Sequence, residues 1–186
     1  MGAAHSLKEE NHQTTKGIYK TKETIKQLEE WTERRINNIL FDSDKDDWNK
    51  YTSVFDQRIM NKEHIIIIIE DSEGNKFGGY VNSKIDKVGG FINDSQSFVF
   101  SLESNGRNEG MMKFNIKQPQ YAFYLDKQTH DWLFAFGGGS DISVGKENDK
   151  TESYCDQQSF DYKGISNALC GKKYFTPKRI IVIEMK

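Results

Sequence analysis

Ile65-Ile66-Ile67-Ile68-Ile69, then Asp71-Ser72-Glu73-Gly74-Asn75, then Phe77-Gly78-Gly79-Tyr80-Val81 form the stretch that decides how this chain folds. Five β-branched side chains in succession are stiff at χ1 and favour extended backbone. The run is far shorter than the ~20 apolar residues of a membrane-spanning helix. It does not alternate apolar with polar, so it predicts a central strand buried on both faces. The polar Gly-containing stretch after it is a turn, and Phe77 to Val81 returns as the second arm of a hairpin.

The same grammar continues downstream. Ser97 to Leu102, Met112 to Ile116, Tyr121 to Leu125, Trp132 to Phe136, Asp141 to Val144 and Arg179 to Met185 are aromatic or β-branched runs separated by Gly, Asn and Asp clusters. Upstream the pattern differs. Thr24 and Gln27 have capping-box spacing, and Ile25, Leu28, Trp31, Ile36, Ile39 and Leu40 recur at helical steps, which predicts a helix over residues 17–40. Acidic Ser43 to Asp47 followed by Trp48, Tyr51, Phe55 and Ile59 predicts a second helix. Residues 1–16 are polar and aperiodic and read as a flexible tail. Two helices followed by many short strands imply an α+β, mainly β fold: a two-sheet antiparallel β-sandwich flanked by helices, with one helix at the N-terminus.

Length and composition narrow the function classes. A chain of 186 residues holds one domain of ordinary size. Its 26 basic and 28 acidic residues are dispersed, without the basic stripe that nucleic acid demands. Cys155 and Cys170 are the only cysteines. With no apolar leader or span in the sequence, reduced thiols and a cytoplasmic location are expected.

Read in order, Phe77-Gly78-Gly79-Tyr80, Ser97-Phe98-Val99-Phe100-Ser101-Leu102, Phe136-Gly137-Gly138-Gly139-Ser140-Asp141-Ile142 and Phe175 through Val182 resemble the TLDc family. The resemblance spans roughly Ile39 to Lys186, so residues 41–186 are expected to form the TLDc-like domain. Asp47-Trp48 stands where the family often has Asp-Gly, and Ile181-Val182-Ile183 replaces its closing Glu-Val-aromatic pattern. The resemblance implies a helix-flanked sandwich, a role in resistance to oxidative stress and, for several members, binding to the vacuolar proton pump. It implies no established active site. Phe77, Gly78, Gly79, Phe98, Phe100, Phe136, Gly137, Gly138 and Asp141 are then structural positions of the family pattern.

Asp42-Ser43-Asp44-Lys45-Asp46 opens like a calcium loop, but Asp47 occupies the turn position that needs Gly and Ser53 the place of the bidentate Glu, so helix capping is the expected role. Gly137-Gly138-Gly139-Ser140 lacks the following Lys-Ser/Thr and helix of a phosphate loop, and its glycines are expected to permit positive φ or close backbone approach. His64 and His130 are the plausible bases, yet no nucleophile-elbow sequence accompanies them. Asp156 beside Cys155 should raise that thiol's pKa, whereas Gly171-Lys172-Lys173 gives Cys170 the more activating surroundings. Neither cysteine has the company of a zinc site. Met1-Gly2-Ala3-Ala4-His5-Ser6 matches an N-myristoylation signal at Gly2, which would give weak peripheral membrane contact.

The expected function is thus a non-catalytic protein-binding module, with no cofactor, no metal and no catalytic residues, whose partner could include vacuolar proton-pump subunits. The alternatives are a thiol-dependent or hydrolase-type enzyme using Cys170 or Cys155, and a myristoylated vesicle adaptor.

Overall fold

The computed structural model describes residues 22–150 and 152–186. The expected tail over 1–16, the start of the first helix and the acylation signal at Gly2 lie outside the described residues. In chain order the elements are α1 (Lys22–Thr32), β1 (Ile36–Asp42), α2 (Phe55–Ile59), β2 (Ile65–Asp71), β3 (Lys76–Val81), β4 (Phe91–Ile92), β5 (Phe98–Glu103), β6 (Met112–Asn115), a 3-10 turn (Pro119–Tyr121), β7 (Phe123–Leu125), β8 (Trp132–Phe136), β9 (Ile142–Gly145), β10 (Ser153–Tyr154), β11 (Tyr174–Phe175) and β12 (Pro177–Met185).

The strands make two six-stranded antiparallel sheets, ordered β1-β12-β2-β3-β5-β6 and β11-β10-β9-β8-β7-β4. The isoleucine run is central as expected, with β12 on one side and β3 on the other, and all five side chains are fully buried. Its alternate residues serve two cores. Ile65, Ile67 and Ile69 face the second sheet together with Phe77, Val99, Phe134, Phe136 and Val182. Ile66 and Ile68 face the other way, with Tyr80, Phe98, Phe100, Ile181 and Ile183, and Leu28 of α1 packs on that side with Trp31. Burying an isoleucine side chain contributes about 1.5–3 kcal/mol, so this strand alone is a large share of the driving force.

Two helix expectations are corrected. The first helix ends at Thr32: Glu33 takes a positive φ of 54°, and Ile36 to Leu40, expected as its last turns, form β1. Ile36, Ile39 and Leu40 do share helical spacing, but the open edge of β12 offers main-chain partners from Ile181 to Met185, and Asn37 and Asn38 are weak helix formers. Tertiary pairing outweighs local periodicity here. The second helix shrinks to Phe55–Ile59. Tyr51, expected on its buried face, has φ 73° and is 65% exposed, while Trp48 stays buried in an extended segment whose carbonyl accepts from the Glu147 N–H.

The acidic run Asp42 to Asp46 is corrected with them, since it caps no helix. It closes the turn after β1. Asp42 accepts from Arg179 Nε and Nη2 at 3.1 and 3.0 Å, Asp46 accepts from the Asp42 N–H at 2.9 Å, and Arg58 bridges Asp46 at 3.1 Å. These carboxylates are committed to arginines and backbone, and no cluster able to hold a metal occurs among the described residues. No helix among them is long and apolar enough to cross a membrane.

Candidate functional site

Of the positions expected as structural, Phe77, Gly79 and Phe136 lie where the two sheets touch. Gly79 in β3 lies between Ile67 and Val99 on the inward face, and the Phe136 ring from β8 fills the space its missing side chain leaves, so that a Cβ there would come within 2.5 Å of the ring. Phe77 packs edge-on against Phe175 at 5.0 Å. Phe98 and Phe100 point outward beneath α1, with Trp31 at 6.2 and 6.0 Å. Positive φ in the glycine cluster belongs to Gly137 (83°), with Ser140 at 62°. Gly138 instead donates its N–H to Ser159 Oγ at 2.9 Å and lies against the Tyr121 ring.

Asp141 is the organiser of this corner. Fully buried, its carboxylate accepts from the N–H groups of Gln158, Ser159 and Phe160 at 2.9, 2.9 and 3.3 Å and from Tyr162 Oη at 2.9 Å. Burial pushes the Asp141 carboxyl above the usual carboxylate value, and the donors oppose that shift. The carboxylate therefore folds residues 158–162 back over the sheet edge.

The two histidines are not brought to a nucleophile. His64 Nδ1 lies 3.1 Å from Asn82 Oδ1 at the start of β2, and His130 Nδ1 lies 2.7 Å from Asp126 Oδ1 in the β7–β8 loop. Beside His130, Lys146 Nζ donates to the carbonyls of Lys127, Gln128 and His130, and burial lowers its pKa. That lysine holds a loop together.

The cysteines, in contrast, meet. Both are free and buried, in the cluster between the sheets, and each bears on the other's pKa. Burial pushes Cys155 well above an ordinary thiol, while the interaction with Cys155 pulls Cys170 below one, against the opposing effect of burial. The Asp156 neighbour, expected to weaken Cys155, is exposed and bonded to Lys173. Desolvation does that work instead.

The outward face of the second sheet carries a feature that the sequence reading missed. Main-chain register places Tyr174, Tyr154, Ser143, Ala135, Tyr124 and Phe91 in one row across all six strands. None of these side chains belongs to either core cluster. Small residues form the middle and aromatic groups stand at both ends. At one end Trp132 meets Tyr154 edge-on at 5.6 Å and Tyr154 meets Tyr174 at 6.3 Å; at the other Phe91 touches Tyr121 and Tyr124, each at 5.1 Å. A cleft of about 370 Å³ opens between Trp132, Gly139, Tyr154 and Tyr174, rimmed by Glu152, Asp156 and Lys173. The corresponding face of the first sheet is covered by α1. A larger polar cleft of about 570 Å³ opens near Trp48 and Lys146 to Lys150, where Lys172 and Lys178 are already paired with Glu73 and Glu70.

The TLDc domain model matches residues 13–184, nearly the whole length, and the chain belongs to the TLDc family. No curated protein matches it at a significant level.

Proposed function

We propose that this TLDc protein is a non-catalytic binding module that limits oxidative damage by docking on a protein partner, with the aromatic row of the second sheet as the docking face. The family is generally linked to oxidative stress. The observation that carries the reading is the contrast between the two outer faces: one is closed by Leu28 and Trp31 of α1, while the other presents Trp132, Tyr154 and Tyr174 around an open cleft. Tyrosine and tryptophan combine large apolar contact with a polar edge at low entropic cost, and they are the residue types that dominate binding energy at protein interfaces.

Peripheral subunits of the vacuolar proton pump are the partner that family membership favours. The polar rim of Glu152, Asp156 and Lys173 would set orientation, and the aromatic centre would supply affinity. Affinity isolation from peroxide-stressed cells, comparing the parent with a Tyr154→Ala, Tyr174→Ala variant, tests this reading. Pump subunits enriched with the parent and lost with the variant support it, and equal recovery with both overturns it.

A further inference from the structure

Cys155 and Cys170 are separated by a long loop, yet main-chain pairing brings them together. Tyr154 of β10 is paired with Tyr174 of β11, and the Cys155 N–H continues the ladder by donating to the Lys173 carbonyl at 2.8 Å. Cys170 lies just before that point, its Sγ donating to the Lys172 carbonyl at 2.9 Å. The Asn75 side chain binds the Cys170 carbonyl at 3.3 Å, and Arg107 binds the neighbouring carbonyls of Asn167 and Leu169. Cys155 is therefore fixed through its N–H and Cys170 through its sulfur on the consecutive carbonyls of Lys173 and Lys172, and each thiol bears on the other's pKa.

We infer that Cys155 and Cys170 are a modification site, forming a reversible intramolecular disulfide when the protein meets a hydroperoxide, with Cys170 as the attacking sulfur and Cys155 as the resolving one.

The division of labour follows from the surroundings. A thiolate is the nucleophile in such chemistry; the interaction with Cys155 pulls the Cys170 pKa below that of an ordinary thiol, whereas burial pushes that of Cys155 well up, so that Cys155 keeps its proton. In the first step Cys170 Sγ takes the terminal oxygen of the hydroperoxide as the O–O bond breaks, giving a sulfenic acid and, after protonation, an alcohol or water. In the second, Cys155 Sγ attacks Cys170 Sγ, the S–O bond breaks and water leaves with the Cys155 proton. Two thiols and one hydroperoxide thus yield one disulfide, one alcohol (or water) and one water, and an external dithiol reverses the change. Cys170 is buried but is followed at once by Gly171-Lys172-Lys173, whose lysines are exposed, so the sulfur lies close to the surface in the chain.

The inference needs no partner, so it stands or falls apart from the docking face. The reduced full-length protein is treated with hydrogen peroxide and examined by intact mass and peptide mapping. The expected result is loss of two hydrogen atoms, joint disappearance of both thiols from alkylation, a linked peptide pair containing Cys155 and Cys170, and full reversal by dithiothreitol. In Cys155→Ser, Cys170 should instead gain oxygen atoms; in Cys170→Ser, Cys155 should stay reduced at the same dose. Should either variant fail to fold, peptide mapping of the parent decides alone. Linkage between different chains, oxygen addition to either parental thiol without linkage, or two reduced thiols at a dose that already oxidises the methionines would overturn the inference.

Discussion

Gly79 of β3 and Phe136 of β8 are complementary halves of one contact between the sheets: the ring occupies the hollow left by the absent side chain, and a Cβ at Gly79 would lie 2.5 Å from ring carbons Cε1 and Cζ. Phe136 is fully buried and meets Phe123 edge-on at 5.0 Å, so it has little room to withdraw. This contact links the Phe77-Gly78-Gly79-Tyr80 block to the block that begins at Phe136.

Gly79→Val should therefore destabilise the domain by about 1–3 kcal/mol through overpacking. Combining it with Phe136→Leu should cost less than the sum of the two single changes, because the smaller side chain vacates the hollow. Urea unfolding of the four proteins checks this. Strict additivity would mean that the two residues do not share the space.

Ile67→Asp should abolish folding. Ile67 pairs with Gly79 and Val182 in the middle of the first sheet and faces the inter-sheet core, so the carboxylate would lose its hydration with no partner, at a cost of several kcal/mol. Loss of the cooperative thermal transition is the expected outcome, and an unchanged melting temperature contradicts the buried position.

Asp141→Ala should leave three backbone N–H groups and the Tyr162 hydroxyl without their acceptor, destabilising the fold by on the order of 3 kcal/mol or more. Asp141→Asn keeps one acceptor oxygen and should fall between. Hydrogen exchange should localise the damage, with the amides of Gln158, Ser159 and Phe160 losing protection first.

What the sequence revealed and what it hid follow from where the information resides. β2 was legible because five β-branched residues leave no helical alternative, and its return strand because Asp71 to Asn75 is turn chemistry. β1 was misread because Ile36, Ile39 and Leu40 mimic helical spacing, and only the open edge of β12 decides the matter. β4, β10 and β11 are two residues long and have no local period to detect. The candidate sites were hidden for a related reason. The aromatic row exists only in cross-strand register, and the contact of Cys155 with Cys170 depends on pairing between β10 and β11, neither of which leaves a mark in local spacing.

Docking through the row should be separable from stability. Tyr174 is 49% exposed at the sheet edge, and Tyr154 is its half-buried partner on the same outward face. Removing both rings sacrifices the contact between them and that of Tyr154 with Trp132, each worth roughly 0.2–1 kcal/mol, so the double alanine variant should still fold and melt only a little below the parent.

Binding of the purified protein to the purified peripheral sector of the vacuolar proton pump tests the central claim most directly. Calorimetric titration should give a saturable complex with the parent, weakened at least about tenfold in Tyr154→Ala, Tyr174→Ala, since aromatic interface anchors commonly cost more than ~1 kcal/mol each when truncated. No binding by the parent, or equal affinity in a folded variant, would contradict the account.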